Sequence, residues 1–146
     1  RCSTGQEQFV KEMADTMMIP VSFGEVLDKI TILEIKSERM NDPAKLANVR
    51  LELDELNRVW AGTLGNPGRV NQERDELKAV NEKLWDIEDA IREQELSGDF
   101  GERFVELARQ VYFTNDERAA IKKKVNLALG SRFVEEKSYQ DYCRSG

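Results

Sequence analysis

The sequence contains no histidine, and that absence excludes more chemistry than any residue present supplies. Serine and cysteine triads, histidine acid–base steps and most zinc or di-iron sites all use an imidazole. Cysteine is almost missing as well. Cys2 and Cys143 stand near opposite ends with no CxxC spacing, so neither a zinc knot nor a disulfide framework can be read. No metal and no cofactor is therefore expected, and a reducing cytoplasm is the expected compartment. Long apolar runs are lacking too: nothing approaches the ~20 residues that span a bilayer, and no cationic stretch leads into an apolar core near the N-terminus. Neither membrane insertion nor export is expected. Only three prolines and 8% aromatic residues argue against a β-sandwich. Basic charge is in deficit: 22 lysines and arginines face 28 acidic residues, a net charge of −6, whereas phosphate binding needs a basic face, so nucleic acid is not expected as a partner.

What remains is a chain of 146 residues, a third of them charged, which suits one helix-rich domain. Residues 1–17 differ in composition and read as a leader, either disordered or unrelated upstream sequence, with a loosely docked arm as the alternative. Residues 18–146 read as a single helical domain ending in an irregular tail. Ser22-Phe23-Gly24-Glu25 has the form of a capping box, in which Ser22 caps the opening amides and Glu25 reaches back. A helix from about Phe23 to Met40 follows. Phe23, Val26, Leu27, Ile30 and Leu33 share one stripe, while Ile32 and Ile35 project from the opposite side. Such a helix is either central in a bundle or meets a second subunit through Ile32 and Ile35.

Asp42 and Pro43 supply the cap and first position of the next helix, where the missing proline amide costs nothing. Leu46, Val49, Leu53, Leu56 and Trp60 then form a heptad-type seam, which places Trp60 in the core. After a break at Asn66-Pro67-Gly68, Val70, Leu77, Val80, Leu84, Ile87 and Ile91 repeat that spacing to about Leu96. The two segments predict an antiparallel helical hairpin. Asp99-Phe100-Gly101-Glu102 reads as a second capping box, and Phe104 to Leu129 as the last long helix, stopped by Gly130. In the tail, Phe133, Val134, Tyr139 and Tyr142 are candidates for packing onto the bundle. The predicted fold is all-α, an antiparallel bundle of about four main helices with a long helical hairpin.

Several blocks carry a resemblance. Val21-Ser22-Phe23-Gly24-Glu25 with Leu27-Asp28-Lys29-Ile30-Thr31-Ile32-Leu33-Glu34-Ile35-Lys36, then Leu84-Trp85-Asp86-Ile87-Glu88-Asp89, Phe100-Gly101-Glu102-Arg103-Phe104, Thr114-Asn115-Asp116 and Glu135-Glu136-Lys137-Ser138-Tyr139 resemble a family of small uncharacterised bacterial proteins. The resemblance covers about Met18 to Tyr142 and implies a stand-alone helical cytoplasmic protein without implying an activity. Two enzyme classes fit less well. The segment from Leu27 to Leu33 is similar to the opening helix of all-helical chorismate mutases, but Leu27 stands where those need an arginine. Glu73-Arg74-Asp75-Glu76 and Asp86-Ile87-Glu88-Asp89 offer a loose version of the magnesium pairs of all-α nucleoside triphosphate pyrophosphatases, set ~15 Å apart if the helix is unbroken.

The more informative feature is where the apolar stripes are interrupted. Thr114, Asn115, Arg118 and Lys122 fall on the core-facing side of the last helix, Glu34 and Ser37 on that of the first, and Asn81 and Glu88 beside Leu84 on the third. Glu34 and Glu88 thus oppose Arg118 and Lys122, with Trp85 at the rim. Three readings stay open: a helix break capped at Thr114, an ion-pair network that fixes register, or a pocket for an anionic ligand. The ligand-binding candidates are Glu34, Trp85, Glu88, Thr114, Asn115, Arg118 and Lys122. The expected function is a homo-oligomeric interaction or small anionic-ligand-binding module, the alternative being a small all-α enzyme acting on a phosphorylated or carboxylated metabolite.

Overall fold

In the computed structural model, which describes residues 15–142, Ser22 opens the first helix by accepting a hydrogen bond from the Glu25 amide at 3.2 Å. The box is only half built, because the Glu25 carboxylate turns away to Lys122 instead of reaching back. Helix α1 runs Phe23–Arg39. Asp42 then caps α2, Pro43–Thr63, its Oδ1 accepting from the amides of Ala44 (2.9 Å) and Lys45 (3.1 Å). A short 3-10 turn, Pro67–Val70, leads into α3, Asn71–Ser97, and α4 spans Glu102–Leu129. Gly98 and Gly130 end α3 and α4 at φ of 69° and 66°, the left-handed region that glycine occupies without steric cost. The second expected capping box does not form: Asp99 accepts from the Gly101 amide at 3.1 Å, so Gly101 becomes the cap residue and Glu102 starts the helix. The described residues hold four long helices and no strand, and the chain is an all-α bundle.

Helix α1 packs against each of the other three. The cause is its two apolar sides: Leu27, Ile30 and Leu33 are buried, and so is Ile35 from the second stripe, at 1% exposure. Ile35 is thus covered within one chain, and Ile32 is half-buried. Burying Ile35 therefore does not require a second subunit, whereas Ile32 keeps part of its surface open. The core cluster joins Leu27 and Ile30 to Trp60 of α2, Val70, Leu77 and Val80 of the turn and α3, and Val125 of α4.

The helix pairing differs from the predicted hairpin. Segments 46–60 and 70–96 do not pair along their length; α2 lies along α1, and the most extensive pairing is between α3 and α4, joined by four residues. Their antiparallel register is marked by the ion pairs Lys83–Glu117 (3.7 Å) and Lys124–Glu76 (3.9 Å). Central placement of α1 is what separates α2 from α3.

The N-terminal turn of α1 meets the C-terminal turns of α4 at backbone distance. The Gly24 amide donates to Asn126 Oδ1 at 2.6 Å, and a Cβ on Gly24 would stand 2.5 Å from the Lys122 carbonyl oxygen. Only glycine fits this approach. The tail after Gly130 runs back along α4, where Lys137 pairs with Asp116 (3.8 Å) and the Tyr142 ring lies 5.0 Å from Phe113. Val134 is half-buried, whereas Tyr139 is 83% exposed, with the Lys137 ammonium 5.7 Å from its ring centre. Cys2, Cys143 and nearly all of the predicted leader lie outside the described residues. Among the described residues, no helix is long and apolar enough to cross a membrane.

Candidate functional site

Asp28 is the centre of the polar interior. It sits on α1 at 1% exposure, where an ionised carboxylate is tolerated only with a counter-charge and filled hydrogen-bond positions. Arg118 of α4 supplies both, donating from Nε to Oδ1 (2.9 Å) and from Nη2 to Oδ2 (2.5 Å) in a fork that fits the carboxylate plane. Asn81 of α3 adds its amide to Asp28 Oδ1 (2.9 Å) and to Thr31 Oγ1 (3.0 Å), while the Thr31 hydroxyl donates to the Asp28 carbonyl (2.8 Å). Three helices are joined through one carboxylate. The hydrogen bond to Asp28 also raises the Arg118 pKa above its ordinary value, against the opposing effect of burial.

One turn along α4, Lys122 is held between Glu25 of α1 (2.7 Å) and Glu135 of the tail (2.8 Å). Burial alone would lower its pKa, but the hydrogen bonds it donates to Glu135 and Glu25 outweigh that and raise it. The same contact to Lys122 depresses the Glu135 pKa.

The expected pairing of Glu34 and Glu88 with Arg118 and Lys122 is not what forms. Glu34 pairs with Arg74 and, at 4.0 Å, with Lys78, both on α3. Glu88 pairs with Arg92 one turn further along its own helix at 2.5 Å. Register is the reason: α1 and α4 run antiparallel with Glu25 and Asp28 level with Lys122 and Arg118, which leaves Glu34 beyond reach of either cation. Nor does α4 break at Thr114, since the helix is continuous from Glu102 to Leu129. Thr114 is fully buried, and its hydroxyl has no hydrogen-bond partner.

Above the Asp28–Arg118 pair, α1, α3 and α4 leave a half-open cleft of about 480 Å³. Its apolar side is made by Ile32, Ile35, Leu84 and Trp85, and its polar side by Asn81, Glu88, Asp89, Arg92, Asn115 and Arg118. Four sequence candidates line it together: Trp85, Glu88, Asn115 and Arg118. Glu34, Thr114 and Lys122 do not. Trp85 is half-buried there, with the Arg39 guanidinium 5.8 Å from its ring centre. Sequence reasoning missed Asp28, Asp89 and Arg92. Asp28 carried a usable signal, because Asp28, Thr31, Ile32 and Ile35 follow the i, i+3, i+4, i+7 spacing of one helix face.

The acidic pairs around Glu73 and Asp86 lie on one unbroken α3, which keeps them apart, and no group of three or more metal-ligating side chains occurs among the described residues. Residues 17–145 match the model of a family of unknown function (DUF6165). No curated protein and no solved structure matches the chain.

Proposed function

We propose that this chain, which belongs to that family of unknown function, is a small-ligand-binding module that seats an anionic group on Arg118 in the cleft between α1, α3 and α4. The observation that carries this reading is the fixing of the Arg118 guanidinium by buried Asp28 while its side chain stays 28% exposed along the cleft. A guanidinium has five N–H donors, and Asp28 occupies those on the Nε and Nη2 edge. Asn115 Oδ1 stands at 3.5 Å from Nη1, a weak contact that a carboxylate or phosphate oxygen readily replaces. A donor held in place beforehand loses little conformational freedom on binding. The cleft volume of about 480 Å³ lies within the ~300–1,000 Å³ range of small-molecule sites.

A reaction on the bound molecule has less support, because Glu88 is engaged by Arg92 and Glu34 lies outside the cleft. A second copy of the chain is the competing occupant, since Ile32 and Leu84 on the floor remain half-buried. Trp85 provides the test. Anionic metabolites and nucleotides are screened by thermal shift, and hits are titrated against tryptophan emission. A true ligand raises the melting temperature by mass action and changes emission in the parent but not in Trp85→Phe, where only buried Trp60 reports. Stabilisation with unchanged Trp85 emission would place the ligand elsewhere and overturn the reading. So would a dimer at micromolar concentration that already shields Trp85 from a small quencher.

A further inference from the structure

The cleft is not a simple anion site, because a carboxylate stands in it without a direct partner. Asp89 lines the cleft from α3, is exposed, and makes no hydrogen bond or ion pair with another described residue; its attraction to Arg39 acts only at longer range. At the other end stands Arg118, oriented by Asp28 with donors to spare. The Lys83–Glu117 and Lys124–Glu76 pairs put Arg118 level with Glu82, so Asp89 lies seven residues further along α3, about 10 Å at 1.5 Å per residue. Between the two charges run Leu84 and Trp85, with Ile32 facing them from α1. A ligand bearing only negative charge meets Asp89 as a like charge. One with a cation placed near Asp89 does not.

Resting on the ligand-binding reading above, the geometry points to a short peptide with free ends as the ligand class, its C-terminal carboxylate on Arg118 and its N-terminal ammonium on Asp89. Three extended residues span about 10 Å, which matches the offset along α3 between the level of Arg118 and Asp89. An α-amino acid, whose ammonium and carboxylate are carried by the same carbon, cannot reach both. The middle of the peptide lies over Leu84 and Trp85, so an apolar central residue is preferred.

The experiment compares Ala-Leu-Ala, its N-acetylated form, its C-terminal amide and simple carboxylates by calorimetry, on the parent and on Asp89→Asn. Asp89 is exposed and without direct bonds, so that substitution leaves the fold intact. Acetylation is expected to weaken binding about fivefold in the parent, the upper range for an exposed ion pair, and to have no effect in Asp89→Asn. Amidation is expected to weaken both proteins alike. If the acetylated peptide or a plain carboxylate binds the cleft as well as the free peptide, the peptide inference fails while the anion site stands. Acetylation that weakens Asp89→Asn as much as the parent also overturns it, because the ammonium then rests elsewhere. If neither peptides nor carboxylates, phosphates or nucleotides bind, both readings fail together.

Discussion

The two halves of α1 carry ion pairs of nearly equal length and very different setting. Towards its N-terminus, Asp28 meets Arg118 at 2.5 Å with side chains 2% and 28% exposed. Towards its C-terminus, Lys78 meets Glu38 at 2.5 Å and Arg39 meets Asp86 at 2.6 Å, and here the carboxylates are 53% and 70% exposed. Distance does not rank these pairs. Burial does, because water screens the outer pairs whether or not they touch, while the inner carboxylate, at 1% exposure, has no water to replace Arg118.

The sharpest way to break the contrast is Arg118→Met. It strands Asp28 in the core and is expected to lower unfolding free energy by about 3 kcal/mol or more, read from denaturant melts. Replacing Asp28 by leucine in the same chain is expected to recover much of that loss, since the pair then gives way to apolar packing. An additive double mutant would show the two side chains to be uncoupled and would remove the burial argument.

An intermediate case is the clasp between Lys122 and Glu135, where one partner is buried and the other half-exposed. Glu135 has a depressed pKa in the folded chain, so its contribution is complete above the ordinary glutamate range and is lost as pH falls through the depressed value. Lys122 has a raised pKa, so its contribution holds below the ordinary lysine range and fades only at higher pH. The tail is therefore expected to stay on α4 at neutral pH and loosen in acid, read as faster amide exchange around Val134. Glu135→Gln should flatten that acid dependence, and an unchanged acid profile would count against the clasp. The smallest effect belongs to Asp86→Ala, which is expected to leave the melting temperature unchanged within error. A clear drop would mean that the outer pairs matter more than their exposure allows.

The same contrast explains what could be read from the sequence. Helix ends were legible where a single residue decides them, as at Ser22, Asp42 and Gly130. The core seam with Trp60 was legible because apolar spacing reports a buried face directly. Helix pairing was not: the stripes on α2 and α3 have the same heptad form, and nothing in either says that α1 lies between them. Asp28 was missed because an acidic residue reads as solvent-facing until its partner ninety residues away is known. Glu34 was misassigned for the complementary reason. It lies on a core-facing stripe, but only the register of α1 against α4 decides which cation it reaches.

The meeting of Gly24 with Asn126 also has a consequence in time. The two residues are 102 positions apart, so the bond that seats the first turn of α1 closes nearly the whole domain. A ribosome adding about 5–20 residues per second leaves α1 without its α4 partner for about 5 s or longer. During that interval Leu27 and Ile30 have only α2 and then α3 to lie against, and Asp28 has no counter-charge. Completion of the fold therefore waits for the last helix to emerge, and a chain stopped short of Arg118 displays an apolar, uncompensated α1 to the cell's chaperones and proteases.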